Sequence, residues 1–241
     1  MVDAVVSSVE DYLVDGLSFK LNPGASYVTD RRSVSYFTAG SNIYTSTSGA
    51  KVARINVTGD GWLDPSTVRL SFTLTNSDGN ADHVLRPLTG PWGFFRRARC
   101  LVGGFIVDDV DYYNRVHEML HILTSNNNRD NDDIEGFGNR WDDANSWARW
   151  NLGADVMPGL AGGASRTVTF KPLFGLLGQP KYIPLSWCPL TMEFEIVNVA
   201  TDPIVNICTD TYQYKASNTS TSWQISDMRI LCDVVTLDSA L

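Results

Sequence analysis

The sequence predicts an all-β chain, an antiparallel sandwich of about eight strands with one inserted helix and one long loop excursion. Three observations carry this. Apolar residues alternate with polar ones in several separate runs, such as Val68, Leu70, Phe72 and Leu74 against Thr67, Arg69, Ser71 and Thr73. Gly, Pro, Asn and Asp punctuate those runs at turn-like positions. No strand–helix–strand rhythm appears, which argues against a parallel sheet and for a sandwich.

Along the chain the elements follow in order. Val5, Val6, Val9, Tyr12 and Leu13 recur at spacings of three and four, so residues 1–25 read as an amphipathic arm, too short to be a stable helix alone. Residues 26–241 read as one domain. Ser33 to Phe37 is strand-like, and a Ser/Thr/Gly-rich link runs from Thr38 to Gly49. Lys51 to Thr58 alternates, with Val52, Ile55 and Val57 as its apolar positions. Ser66 to Thr75 is a half-buried strand, and Trp92 to Val102 another. Gly103-Gly104 marks a tight hairpin returning through Phe105-Ile106-Val107.

Asp111 to Leu123 is the best helix, with Tyr112, Val116, Met119, Leu120 and Leu123 as its apolar stripe and Asp111 as its cap. Residues 125–163 form a polar loop insertion with Trp141, Trp147 and Trp150, long enough to imply a role. Strands resume at Arg166 to Phe170. One helical turn is expected between Pro172 and Leu177, and Tyr182 to Leu185 is short and extended. Leu190 to Val197 places Met192, Phe194 and Ile196 opposite Thr191, Glu193 and Glu195. Ile204 to Tyr214 and Trp223 to Leu237 complete the set.

Composition bounds the function. The net charge is −8, and charged residues make up 19% of the chain, so the diffuse positive surface of a nucleic-acid binder is missing. No apolar run approaches the length of a membrane span. Cys100, Cys188, Cys208 and Cys232 are far apart in apolar runs, without a CxxC pair or a leader sequence. They read as four buried free thiols in a reducing compartment. Asn56-Val57-Thr58 and Asn218-Thr219-Ser220 match the glycosylation pattern by chance.

One motif argues for chemistry. His117-Glu118-Met119-Leu120-His121 fits HExxH, which on a helix sets two imidazoles on one face for Zn²⁺, with Glu118 to activate a bound water. A third ligand is wanting. The extended pattern would need Gly and His where Thr124 and Asn127 stand. His83 is far upstream, and Asp132, Asp133, Glu135 and Asp142 fall in a loop. The reading preferred here is two helix histidines, one exposed and one at a contact, with no catalytic residue, no metal and no cofactor. Asp108, Asp109 and Asp111 read as a strand end with a helix cap, and less as a divalent-cation site. Arg96, Arg97 and Arg99 read as an intersubunit or packaged-nucleic-acid contact, or as a solvated strand face. The tryptophans of the insertion mark a glycan or partner site, or anchor the loop.

Several stretches together resemble the first jelly roll of the double jelly-roll major capsid proteins of eukaryotic double-stranded DNA viruses, the polinton-like virus, virophage and giant-virus lineage. Gly61-Trp62-Leu63-Asp64-Pro65 before the Val68–Leu74 strand is similar to that family's early extended segment, turn and strand. Cys100 to Val107, then Tyr112-Tyr113-Asn114-Arg115 to Leu123, resembles its hairpin leading into a helix. Phe170-Lys171-Pro172-Leu173-Phe174, Lys181 to Leu185 and Glu193 to Ile196 resemble its closing strands, and Ile225 to Val235 the strand that ends the first barrel. The resemblance implies an eight-stranded jelly roll in a virion, assembled inside the host cell. Its partners would be copies of itself, in trimeric capsomers of an icosahedral shell, and other capsid proteins. The family carries two jelly rolls, so the chain is expected to be either a fragment or a single-barrel protein. Two rivals stay open: a carbohydrate-binding jelly roll using Trp141, Trp147 or Trp150, and a zinc hydrolase using His117, Glu118 and His121.

Overall fold

Fifteen residues of one strand organise the sandwich. In the computed structural model, which describes residues 28–123, 159–205, 208–210, 213–214 and 219–237, thirteen strands and one α-helix follow in chain order. They are β1 (Val28–Phe37), β2 (Ile43–Tyr44), β3 (Val52–Val57), β4 (Trp62–Leu63), β5 (Arg69–Asn76), β6 (Phe95–Val102), β7 (Phe105–Asp111), α1 (Tyr113–Ile122), β8 (Ser165–Phe170), β9 (Ile183–Pro184), β10 (Leu190–Ile196), β11 (Cys208–Asp210), β12 (Gln213–Tyr214) and β13 (Trp223–Leu237). The arm and the tryptophans Trp141, Trp147 and Trp150 lie outside the described residues.

β13 pairs β1 along one side. On its other side it pairs β5 with its first half and β4 with its second. β8 extends that sheet beyond β5. The second sheet runs β3-β10-β6-β7. Eight strands are long, and they pair in a nested way. The first pairs the last (β1·β13), the second the seventh (β3·β10), the third the sixth (β5·β8), and the fourth the fifth (β6·β7). Successive pairs alternate between the two sheets. This is one long hairpin rolled up, the jelly roll that the sequence predicted, with the helix inserted between the fifth and sixth long strands.

Period-2 alternation decides what meets between the sheets. Leu190, Met192, Phe194 and Ile196 of β10 face inward, as do Leu70, Phe72 and Leu74 of β5; all seven are fully buried. Phe72 meets Phe95 edge-on with centroids 5.5 Å apart, and Phe95 lies 5.5 Å from Phe194, so aromatic rings bridge the two sheets. The hairpin between β6 and β7 turns on Gly103 (φ 56°) and Gly104 (φ 88°), the paired left-handed positions of a two-residue turn. Gly61 is needed for closeness: a Cβ there would stand 2.3 Å from a Val234 methyl where β4 passes β13. Asp64 accepts from the backbone N–H and hydroxyl of Ser66, closing a turn over Pro65. Arg31 forks between Asp64 (2.8 Å) and Asp233 (2.9 Å), tying β1 to β13 and to this turn.

Four expectations need correction. β3 buries Ala53, Ile55 and Val57, while Val52 faces outward; a small Ala in phase outweighs the larger Val out of phase. The helix begins at Tyr113, and Asp111 ends β7. Its N-cap residue is Tyr112, held in the left-handed region at φ 51°, and the Asp111 carboxylate accepts the Tyr112 N–H at 3.0 Å. Of the predicted apolar stripe of α1, Tyr112, Met119, Leu120 and Leu123 are exposed and Val116 is half-buried. The Ile204–Tyr214 strand is instead a bridge from Ile204 to Pro87 and the short hairpin β11–β12.

Candidate functional site

Helix α1 meets the sandwich through Tyr113, His117 and His121, residues one turn apart on the same face. Tyr113 is fully buried, and its hydroxyl accepts the backbone N–H of Leu173 at 2.9 Å. A 3-10 turn at Pro91–Phe94 presents Trp92 to this face. The indole stacks on His117 with centroids 4.2 Å apart and planes 19° from parallel. It lies 4.8 Å from His121 and edge-on to Phe170 at 5.9 Å. Its Nε1–H donates to the Glu118 carboxylate at 2.9 Å. The HExxH spacing does bring both histidines to one face, but that face reads an indole. Glu118 is bound by the same ring. Burial drives the His117 pKa down to about 4, with a small further push from His121. Among the described residues no group of three His, Cys, Asp or Glu gathers as a metal would require. His83 pairs with Asp78 at 2.9 Å on a distant loop.

The arginine cluster is satisfied within the chain. A bulge at the start of β6 breaks register opposite Glu195–Ile196, so Arg96 and Arg97 both reach the outer side. Arg97 is 2.5 Å from Asp109; Arg96 lies 3.6 Å from Glu195 and 3.9 Å from Asp111. Arg99 and Arg54 flank Glu193 at 2.9 and 2.5 Å. Strand register makes this a ladder: Arg54, Glu193, Arg99 and Asp109 stand on four adjacent strands. The Asp109 carboxyl is held below its ordinary range by the Arg97 guanidinium. The arginines answer carboxylates of their own sheet, and the aspartates lie along the end of β7, as expected of a strand end. Asp108, the third, accepts the Leu176 N–H at 3.4 Å.

Glu193 was expected on the solvated side of β10. It does face outward, yet it is 4% exposed because two guanidinium groups cover it. Glu193→Ala is expected to cost about 2 kcal/mol, below the usual cost of breaking a fully buried pair because Arg54 can turn to water. Urea midpoints for wild type, Glu193→Ala and Glu193→Gln would read this; a loss under about 0.5 kcal/mol for alanine would refute the ladder's weight.

The thiols are mostly inert. Burial pushes Cys100 and Cys232 up to about 12, while Cys188 is half-buried, contrary to the expectation that all four are buried. Cys208 has no described side-chain environment. A cavity of about 200 Å³ lies beside Tyr112, lined by Arg96, Arg115, Val199 and Asp202 among others. Its mixed signs select no ligand.

What sequence reasoning missed is apolar exposure. Phe105 and Trp187 are each 80% exposed, and Ile106, Val107, Met119, Ile122 and Leu123 are also open. Three consecutive apolar residues at Phe105–Val107 cannot all face inward in a strand, which was the available signal.

No protein-family model and no curated protein sequence matches the chain. Solved structures do. PBCV-1 VP54, fitted into a cryo-EM reconstruction of the virophage Sputnik, is similar with a TM-score of 0.55 at 15% identity, covering 92% of this chain and 46% of that one. A chain of the Sputnik virophage structure determined by cryo-EM is similar with a TM-score of 0.56 at 10% identity, covering 93% of this chain and 51% of that one. The chain therefore spans about half the length of the structures it matches. At these identities the likeness is one of fold.

Proposed function

We propose that this chain, with the rolled-up eight-strand topology seen in proteins of virus particles, is a structural subunit of a viral capsid. It would be a major capsid protein or one jelly roll of it. The observation that carries this is the match of fold over nearly the whole described sandwich to chains from virus particles. The internal satisfaction of its charges agrees with a rigid brick. Arginines answered by carboxylates across four strands leave a stiff outer face, and the Phe72–Phe95 contact joins the two sheets. Function would then be self-association, into trimeric capsomers of an icosahedral shell, with other capsid proteins as partners, inside the host cell and then in the virion. Weak contacts between rigid copies suffice because symmetry repeats them.

No observation favours the catalytic rival. Glu118, which would have to activate water, is bonded to an indole, and His117 is stacked on it. The carbohydrate-binding rival rests on Trp141, Trp147 and Trp150, outside the described residues. Light scattering and electron microscopy of the purified chain test the proposal. Trimers or shells are expected; a monomer that persists at high concentration would overturn it.

A further inference from the structure

One end of the sandwich is crossed by a continuous line of backbone pairing. Val28 pairs Leu237, Val235 pairs Trp62, and Trp62 pairs Pro184. The loop after Pro184 carries Trp187 and then Pro189, whose carbonyl accepts the Gly103 N–H at 3.0 Å. The entry of the chain at Val28, the Trp187 loop and the Gly103-Gly104 hairpin tip bearing Phe105 therefore share this end. Phe105 and Trp187 are each four-fifths exposed, with Ile106 (53%) beside them on the edge strand β7. Phe and Trp offer about 150–250 Å² each, so the two rings alone present about 300 Å². That is the size at which an apolar patch on a monomer is commonly functional.

The occupant is argued from the chain that enters here. Twenty-seven residues precede Val28. Val5, Val6, Val9, Tyr12 and Leu13 offer an apolar face at helical spacing, and residues 1–17 carry Asp3, Glu10, Asp11 and Asp15 with no Lys or Arg. Residues 18–27 make a tether of ten, reaching at most about 33 Å. The end of a sandwich four strands wide and two sheets deep spans roughly 15–20 Å, so the tether can cross it. Tethering also raises the segment to an effective concentration of about millimolar, so a modest patch is enough.

We infer that the N-terminal segment of this chain, residues 2–17, docks its apolar face on the Phe105–Trp187 end of its own sandwich. This stands on the patch and the tether and does not depend on the capsid reading.

Hydrogen–deuterium exchange on the full chain tests it, with the amides of β13 as the control for folding. Both substituted side chains are exposed, so the Phe105→Ser/Trp187→Ser variant keeps its core. The amides of residues 5–13 are expected to exchange about tenfold more slowly in wild type than in that variant. Val9→Asp, which leaves the patch intact, should release them equally. Protection should hold over about a hundredfold dilution, as an intramolecular contact requires. The inference is overturned by any of four results: fast exchange of 5–13 in wild type, unchanged protection in the double variant, protection lost on dilution (a second copy is the occupant), or protection that appears only with phosphatidylserine–phosphatidylcholine vesicles.

Discussion

Trp92→Ala is expected to destabilise the sandwich by about 3–5 kcal/mol, the range for deleting a large buried aromatic. Trp92 is 2% exposed and joins α1 to β8 through three rings. It stacks on His117, tilts against His121 and meets Phe170 of β8 edge-on. Its Nε1–H is the donor to Glu118. Alanine removes the ring and leaves a cavity between α1 and β8, because the Phe170 and Phe95 rings are fixed by the sheets and cannot collapse into it. For a chain of this size the melting temperature should fall by roughly 10 °C. A second readout separates a general loss from a local one. With the indole gone His117 gains water, so its pKa should rise from about 4 toward 6.5. A midpoint loss below about 1 kcal/mol in urea, or an unchanged His117 titration by NMR, would show that Trp92 is not what holds the helix.

That contact explains both what the sequence could show and what it hid. Strands were legible where both faces obeyed period two, as in β5 and β10, since a strand buried on one face must alternate. The strand pattern by itself reached only as far as a sandwich; the jelly roll was what the family resemblance implied, and the nested pairing shows it in β1·β13, β3·β10, β5·β8 and β6·β7. The helix was legible as an element and misread as a surface. Two stripes of α1 satisfy 3-and-4 spacing, one of Met119, Leu120 and Leu123 and one of Tyr113, His117 and His121. Counting only aliphatic residues selects the first. The structure uses the second, because an aromatic imidazole packs on an indole as readily as leucine does and Tyr113 satisfies its hydroxyl on Leu173. The same spacing makes His117 and His121 fit HExxH, although the reading preferred from the sequence was one exposed histidine and one at a contact. Glu193 was hidden for a related reason. Its burial is imposed by Arg54 and Arg99, some 139 and 94 residues away in sequence, and no local pattern can report a cross-strand lid. Of the exposed aromatics, Phe105 was signalled by its unbroken apolar run through Val107, whereas Trp187 stands in a loop where no periodicity can report exposure.

Acid should weaken the fold in a window that belongs to His117. Its folded pKa is about 4, against about 6.5 in an unfolded chain. Above pH 6.5 the ring is neutral in both states and costs nothing. Below it the unfolded chain takes the proton first, so stability falls progressively until the folded ring protonates near pH 4. Holding the folded ring near 4 against 6.5 in the unfolded chain corresponds to about 3 kcal/mol. The groups facing this ring agree with the sign. His121, on the next turn, disfavours a second positive charge; Phe170 and Trp92 are apolar. Tyr113 meets the ring edge-on at 5.5 Å, and the Lys171 carbonyl at 3.4 Å together with the backbone of His117 itself favours the charged ring, offsetting burial only in part. Asp78, Asp109 and Asp233 are held below the ordinary carboxylate range, so their losses come at lower pH, as it drops through and beneath 4. His117→Phe keeps the stack on Trp92 and cannot take a proton. Urea midpoints of wild type and His117→Phe, compared between pH 7.5 and 4, should diverge across that window by about 3 kcal/mol. Parallel pH profiles would mean that the ring is already solvated in the native state, and the packing of α1 on Trp92 would have to be given up with it.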